Sequence, residues 1–189
     1  MVIKVKGLTW APFTSGGNGA ACVYGTGHAE TDLIVRVDQS EERSDVSFYA
    51  DDHMIDHDNS VNGASLSVEA AKLTDAMLEN LVGMIKGTDS LSMSTDEAPY
   101  VGFGFIYGSV HCGVKTWKAY WYHKIQFGRG QRSFQTKGET TAYQTESLEG
   151  NAVAVSLTSG GKEEFYAESL ALETEAAART WLNGRAGIS

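Results

Sequence analysis

Strict alternation of apolar and polar residues is the pattern that most constrains the fold of this chain. The segment ASLSVEA places Leu66, Val68 and Ala70 on one face and polar residues on the other. This period of two belongs to a β-strand with one face buried and one face in solvent. The same kind of pattern recurs in TDLIVRV, YVGFGFIY, KTWKAYWYHKIQF, TTAYQTESLEG and NAVAVSL, with a turn predicted at Glu149-Gly150 between the last two. The chain is therefore predicted to be mainly β, with antiparallel strands.

Two of these segments also predict how their strands pack. In YVGFGFIY, Gly102 and Gly104 share one face, and such glycines often mark the close approach of another backbone. His123 falls on the apolar face of the next segment, where we expect a structural histidine rather than a catalytic base. The alternation predicts that this face also holds Trp117, Ala119, Trp121, Ile125 and Phe127.

Two other segments have the helical period. TDAMLENLVGMIKG predicts a mid-chain helix over about residues 74–86, with Thr74 as N-cap and Gly87 as its stop. TEAAARTWLNG predicts a C-terminal helix over about residues 174–183, capped by Thr174 and ended by Asn183-Gly184. The residues expected to face inward from this helix are Ala177, Ala178, Trp181 and Leu182. The predicted architecture is an antiparallel β-sandwich or barrel-like fold with both helices at its flank.

The chain is predicted to be one domain over residues 1–189. Its strongest candidate for a mobile segment is TSGGNGAACVYGTGHAE, residues 14–30, which holds five glycines and no alternation. A loop of this length inside a compact domain is usually functional or disordered. We expect it to be a long mobile loop.

Charge is unevenly distributed along the chain, whose net charge is −9. This sign argues against a protein that grips nucleic acid, because such affinity comes from neutralising phosphates. Residues 38–58 hold eight acids against Arg43 alone, whereas residues 98–138 hold six basic residues and no acid. The simpler interpretation is two solvated faces. The alternative is that the acidic patch of one copy meets the basic patch of the next, as in head-to-tail assembly.

The stretch VSFYADDHMIDHD, residues 46–58, has the look of a metal site. Tyr-Ala-Asp-Asp matches a polymerase motif, but the chain has neither the length nor the basic groove of a polymerase. An EF-hand loop starting at Asp56 fails because Val61 stands where glycine is required. His53 and His57 have zinc-ligand spacing only on a helix, and turn residues surround them. We predict that Val46 and Phe48 face inward and that Asp51-Asp52 lie at a turn, with weak surface metal binding left open.

No motif in the chain requires an enzyme. There is no G-x-S-x-G elbow, no Walker pattern and no C-x-x-C pair. Cys22 and Cys112 are predicted to be free thiols made in a reducing compartment, since no signal-peptide pattern opens the chain. No catalytic residue, cofactor or metal is expected.

Several segments together resemble the major tail protein family of long-tailed, non-contractile bacteriophages, the tail tube subunit. They are LTWAPFT, FYADD, LSVEAAKLTDAMLENLVG, APYVGFGFIY, KAYWYHKIQF, FQTKGETTAYQTESLEG and EAAARTWLNG. The resemblance spans nearly the whole chain and is most specific from Pro99 to Phe127 and in TKGETTAYQTESLEG. The segment NAVAVSLTSGGKEEF departs from the family by carrying less charge after the Leu-Glu-Gly turn.

The resemblance implies a β-sandwich subunit that forms hexameric rings, which stack into a hollow tube around a tape-measure protein. It also implies tail terminator and distal tail proteins as partners, a place in the virion tail, and assembly in the host bacterial cytoplasm. DNA would pass through the lumen without specific binding, and a long loop or hairpin would reach the neighbouring ring. An alternative is another non-enzymatic β-sandwich virion protein or an adhesin-type binding module. A third alternative is a metal-dependent enzyme centred on residues 51–58.

Ten residues are the candidate contacts between subunits. Residues 14–30 are the candidate arm between rings, and the two charged patches are the candidates for complementary faces. The residues are Gly16, Gly17, Asn18, Gly19, Asp51, Asp52, Lys118, Lys124, Arg129 and Arg132.

Overall fold

The computed structural model describes residues 2–31, 33–132 and 145–188, and it confirms a mainly β fold with two helices. The first half of the chain is built of strands β1 (Val2–Ser15), β2 (Val23–Tyr24), β3 (His28–Glu30), β4 (Ile34–Arg43), β5 (Val46–Ala50), β6 (His53–Asp58) and β7 (Val61–Ala70). The second half holds helix α1 (Asp75–Val82), strands β8 (Ile85–Lys86), β9 (Leu91–Ser92), β10 (Tyr100–His111), β11 (Val114–Arg129), β12 (Glu146–Ala152), β13 (Val155–Ser156), β14 (Glu163–Glu164) and β15 (Tyr166–Glu168), and helix α2 (Glu175–Ala186).

One antiparallel sheet forms the body, in the order β2-β1-β10-β11-β12-β7-β4. β3 pairs with β1, and β15 pairs with β11 beside the end of β12. The sheet curls, because β4 at one end of this order comes into contact with β1 near the other end. Three further strand pairs, β5–β6, β8–β9 and β13–β14, stand outside the main sheet.

The main hydrophobic core lies inside the curl of the sheet. Alternate residues of β7, β10 and β12 point into it, and Met77 and Leu81 of α1 cover it. Leu33, just before β4, and Ile34 and Val37 of β4 pack against the same core. The alternation predicts the buried faces of β7 and β10 correctly, but the prediction that Leu33, Val35 and Val37 share the buried face is wrong, because a register shift after Ile34 leaves Val35 exposed.

A second, smaller core lies on the outer face of β1, β10 and β11, under α2. Ala178, Leu182 and Ala186 of the helix pack there against Trp117 and Trp121. Gly104 makes this contact close, since a Cβ at this position would meet the Leu182 side chain and the carbonyl oxygen of Tyr120. The predicted close approach at this glycine is confirmed, and a helix side chain is part of what approaches.

A β-bulge in β11 overturns the prediction that Trp117, Trp121, Ile125 and Phe127 share a face. Val101 and Phe103 of β10 lie opposite Ile125 and Tyr122, so β11 uses one extra residue here. The extra residue reverses the alternation. The tryptophans therefore face α2, whereas Ile125 and Phe127 face the main core.

Both helices begin at their predicted caps but end elsewhere. The hydroxyls of Thr74 and Thr174 accept hydrogen bonds from backbone N–H groups of the first turns, as predicted. α1 stops at Gly83, whose φ of 75° and N–H bond to the carbonyl oxygen of Glu79 close the helix. The prediction that it runs to residue 86 with Gly87 as its stop is wrong, because Ile85–Lys86 instead pairs with Leu91–Ser92.

α2 passes through the predicted stop at Gly184 and ends at Ala186, whose side chain is buried in the second core. Gly187, at a φ of 69°, is the cap. Gly184 is tolerated because glycine weakens a helix without breaking it. Ala177 is exposed, so its predicted inward orientation is also wrong.

One predicted turn is regular strand in the structure. β12 runs through Glu149-Gly150 without a turn, since Gly150 pairs with Leu66 and with Phe127. Residues 140–144 of the strand predicted there lie outside the described residues.

The prediction that residues 14–30 form a long mobile loop is wrong for the single chain. β2 pairs with β1 through Tyr24 and Phe13, and β3 pairs with β1 at Trp10. The N–H of Gly19 donates to the carbonyl oxygen of Ser156 at 2.8 Å. Positive φ angles at Gly16, Gly17 and Gly19 let the chain turn back onto its own body. A role for this segment between rings stays a prediction.

Candidate assembly surface

The β5–β6 hairpin, residues 46–58, extends the body of the protein as a projecting ribbon. β4 and β7 pair up to Arg43 and Val61, and the N–H of Ser44 then donates to the carbonyl oxygen of Ser60 at 2.7 Å. β5 and β6 continue this ladder beyond the main sheet. The ribbon formed by β4–β7 and β5–β6 thus carries the hairpin away from the core.

Asp51 and Asp52 form the two-residue tip of the hairpin. Their φ angles are 49° and 62°, the left-handed pair required by a type I′ turn. Aspartate tolerates this region better than most residues, because its short side chain bonds locally. The YADD motif is therefore a hairpin turn, as its predicted place at a turn implied.

The hairpin exposes an unusual amount of apolar surface. Phe48 is 62% exposed and Ile55 63%, and Val46, Tyr49 and Met54 are similarly open. The predicted inward orientation of Val46 and Phe48 is wrong. The reason is that the hairpin stands outside the main sheet, and no second layer from the described residues covers it.

Apolar side chains lie on both faces of this hairpin. Phe48 pairs with Asp56, and Tyr49 pairs with Met54 on the opposite face. A bulge at Ile55 shifts the register between these pairs. The sequence carried a usable indication of this arrangement, since Phe48-Tyr49 and Met54-Ile55 are adjacent apolar residues and cannot share one face of a strand.

The register separates the two histidines that had suggested a metal site. His53 pairs with Ala50 and His57 with Ser47, which are three residues apart on β5 and so lie on opposite faces. The Nδ1 atom of His57 lies 3.1 Å from the Ser47 hydroxyl and 3.7 Å from a carboxylate oxygen of Asp45. Nowhere in residues 2–31, 33–132 and 145–188 do three histidine, cysteine or acidic side chains gather as metal ligands would.

Three of the four basic residues predicted to face a neighbour already have a carboxylate partner in their own chain. Lys118 Nζ lies 2.8 Å from Glu168 Oε1. Arg129 and Arg132 both bind Glu146, at 3.0 and 2.7 Å. The Glu146 carboxylate also accepts from the N–H of Leu73, and although its burial alone would raise its pKa, these partners hold it below the ordinary value. Lys137, in the same predicted patch, lies outside the described residues.

Lys124 differs from these three. Its Nζ lies 4.3 Å from the ring centre of Tyr100 and 5.0 Å from that of Phe13, both cation–π distances. Among the described residues no carboxylate lies within ion-pair distance of it. The structure therefore leaves this ammonium available to an acidic partner.

An uncovered polar face lies on the outer side of β4, β7, β12 and the end of β11. Ser67 is flanked by Asp38 and Glu149, and the next row places Ser65 between Ser40 and Asn151. Helix α2 packs farther along the sheet, on β1, β10 and β11. This polar face combines small hydroxyl and amide side chains with acids, so it suits permanent contact with water.

β4 is also an edge strand. It ends the sheet order, and within the described residues its second edge has no strand partner. Where β1 does not lie against it, this edge presents N–H and C=O groups that have no ladder partner among the described residues and that a strand of another chain can complete. Three features thus point outward from one subunit: the hairpin, the β4 edge and the polar face.

No protein-family model matches this chain, and no curated protein is significantly similar to it in sequence. Neither α1 nor α2, the helices in the described part of the chain, is long and apolar enough to cross a membrane. Function is therefore argued from the geometry.

Proposed function

We propose that the chain is a structural subunit that assembles with copies of itself into stacked rings, forming the tail tube of a long-tailed, non-contractile bacteriophage. The observation that carries this proposal is the projecting hairpin with apolar side chains on both faces. The resemblance of the sequence to tail tube subunits supports the more specific identity. Hexameric rings, a tape-measure protein inside the tube, and terminator and distal proteins at its ends belong to the same proposal.

The hairpin supports self-association on energetic grounds. A two-stranded hairpin is at best marginally stable alone in water. Full burial of a large apolar side chain contributes about 1.5–3 kcal/mol, and five such side chains are exposed here. Because both faces of the hairpin carry apolar side chains, contact with one copy on each face would bury all five side chains. The free edge of β4 offers a further contact, in which a neighbouring strand extends the sheet.

The polar face supports a channel. In a closed ring, the face that carries neither the hairpin contacts nor the α2 helix can turn toward the central axis. Its serines and amides would stay hydrated, and acids such as Glu149 would repel phosphate rather than bind it, whereas Asp38 is paired with Arg36. DNA could then pass along the channel without adhering. The subunit needs no catalytic residue for this function.

The proposal is tested by negative-stain electron microscopy and sedimentation velocity of the purified protein over a range of concentration and salt. We expect rings or hollow tubes whose abundance rises with protein concentration. Monomers that persist at high concentration under every salt condition would contradict the proposal. A protein of fixed low oligomeric state with a saturable ligand would favour the binding-module alternative.

A further inference from the structure

A small pocket lies where residues 21–24, the bulge of β11 and the C-terminal end of α2 meet. Its volume is about 160 Å³, and its lining includes Cys22, Tyr24, Trp121, His123, Leu157 and Arg185. At the density of liquid water this volume holds roughly five water molecules. It therefore has room for the short side chains of a tight turn, but not for a strand.

The wall of this pocket is held in place by internal bonds. The Tyr24 hydroxyl donates to the carbonyl oxygen of His123 at 2.9 Å and accepts from Nε1 of Trp121 at 3.2 Å. The rings of Tyr24 and Trp121 meet edge to face, with centres 5.3 Å apart. His123 is only 2% exposed, and its Nε2 has no hydrogen-bond partner among the described residues.

Arg185 lines this pocket, and Lys124 lies close enough to the lining residue Cys22 to act on its thiol electrostatically. The Arg185 guanidinium lies over the Trp181 ring at 5.0 Å, and the Lys124 ammonium is held between Phe13 and Tyr100. In the described part of the chain neither has a carboxylate within ion-pair distance. One carboxylate, that of Glu164, lies near the pocket wall, with its Oε2 3.8 Å from Nε2 of the neutral His123. The local charge is thus positive on a protein whose net charge is −9.

Apolar surface adjoins the cations. Val23, next to Cys22, is 52% exposed, and Val153, whose N–H donates to the carbonyl oxygen of Lys124, is 39% exposed. The site therefore offers positive charge, aromatic rings and exposed valines together. The ligand that complements it is an acidic turn with apolar residues on its flanks.

We infer that this pocket receives the tip of the β5–β6 hairpin from a second copy of the chain. Asp51 and Asp52 lie between Lys124 and Arg185, and Tyr49 and Met54 pack on the rings and valines around them. The assignment rests on the proposed self-assembly and gives the hairpin a specific receptor. It also explains why Lys124, unlike Lys118, Arg129 and Arg132, has no carboxylate partner among the described residues.

Cysteine cross-linking locates the contact, because Cys22 lies in the pocket wall. The test protein carries His53→Cys beside the hairpin tip and Cys112→Ser to remove the other thiol. Mild oxidation by copper–phenanthroline is expected to give an intermolecular 22–53 disulfide, at a yield at least about tenfold above that of Thr88→Cys in the same background, since the bond forms only between Cα atoms within about 7 Å. Adding Cys22→Ser is expected to abolish the product.

Charge reversal provides an independent measurement. Lys124→Glu with Arg185→Glu is expected to raise the half-assembly concentration at least about tenfold, because like charges would then meet at the contact. Lys72→Glu with Lys86→Glu makes the same change of net charge at exposed lysines elsewhere, and is expected to shift it by less than about threefold. Circular dichroism verifies that each variant folds.

The outcomes separate the two proposals. Rings or tubes without the 22–53 disulfide, or with an unchanged half-assembly concentration after the pocket reversal, would overturn the receptor assignment and leave self-assembly standing. A wild-type protein that never assembles would overturn both.

Discussion

Gly104 and Gly184 have opposite surroundings, so alanine is expected to have opposite effects at the two positions. A Cβ at Gly104 would meet Leu182 and the Tyr120 carbonyl, whereas nothing lies within 4 Å of one at Gly184. Gly104→Ala is expected to lower the free energy of unfolding by about 1–3 kcal/mol through overpacking. Gly184→Ala is expected to raise it by about 0.5–1 kcal/mol, because alanine favours the helix.

Urea denaturation followed by circular dichroism measures both changes. Equal effects of the same sign at the two glycines would contradict the packing described for α2.

The buried side chain of His123 is expected to make the folded protein less stable in mild acid. Burial, followed by the nearby Arg185 charge, lowers the pKa of His123 from 6.5 to about 4. The unfolded chain therefore binds a proton that the folded chain excludes, and stability present above pH 6.5 falls as the pH drops toward 4. The full effect is on the order of 3 kcal/mol.

The free energy of unfolding measured from pH 7.5 to 4.5 tests this expectation. His123→Gln should flatten the profile in this range. Exposed His111→Gln, far from the proposed contact, should leave the profile as in the wild type. A wild-type profile that is already flat between pH 6.5 and 4.5 would show that His123 is not held neutral by burial.

At the residue scale, local chemistry was predictable wherever one residue type has one local solution. Thr74 and Thr174 were predictable as caps, because a hydroxyl before a helical run satisfies a free N–H. Asp51-Asp52 was predictable as a turn, but the outward orientation of Phe48 was not. That orientation depends on what packs beside the strand, which alternation within the segment does not reveal.

At the scale of elements, the presence of a helix or strand was easier to predict than the residues at which it begins and ends. The bulge in β11 adds one residue and moves Ile125 and Phe127 to the other face, and no residue type marks its position. α1 ends at Gly83 rather than Gly87, because Gly83 adopts the left-handed conformation that closes the helix. The glycines of residues 14–30 suggest mobility, whereas the positive φ angles of Gly16, Gly17 and Gly19 turn the chain back toward Ser156.

The β5–β6 hairpin is expected to be needed for assembly but not for folding. Replacing residues 46–58 with a short Asn-Gly turn is expected to leave a folded monomer that no longer assembles. The free energy of unfolding should change by less than about 1 kcal/mol, because the removed side chains are exposed. Sedimentation velocity should show monomers at concentrations where the wild type forms large assemblies.

A matched control shortens the exposed turn at residues 158–161, between β13 and β14. This change is expected to leave assembly intact. Normal assembly of the protein without its hairpin would contradict the role given to the hairpin, and an unfolded product would contradict its independence from the core.

At the scale of the molecule, the segregation of charge was visible in the sequence, but the structure does not support the predicted pair of complementary faces. The acids of residues 38–58 do form one projecting region, together with part of β4. Within the described residues the basic stretch does not form a free complementary face, because Glu168 pairs with Lys118 and Glu146 pairs with both Arg129 and Arg132. These carboxylates come from residues 146 and 168, far along the chain, so only the fold brings them to the basic residues.

The outer surface of the sheet divides into two parts with different roles. α2 covers the apolar part, and the polar part remains open. An open sheet face with small polar residues and acids has no need of a partner, whereas the hairpin and the β4 edge do. Under the proposed function, contacts between copies would lie at the periphery of the subunit, and the polar face would be left for a channel.

Cryo-electron microscopy of the assembled wild-type protein tests the central claim most directly. We predict a hollow assembly in which the β5–β6 hairpin is buried between copies and Asp38, Ser67 and Glu149 face the central channel. A compact assembly without a channel, or one in which the hairpin stays in solvent and the polar face is buried between subunits, would contradict it.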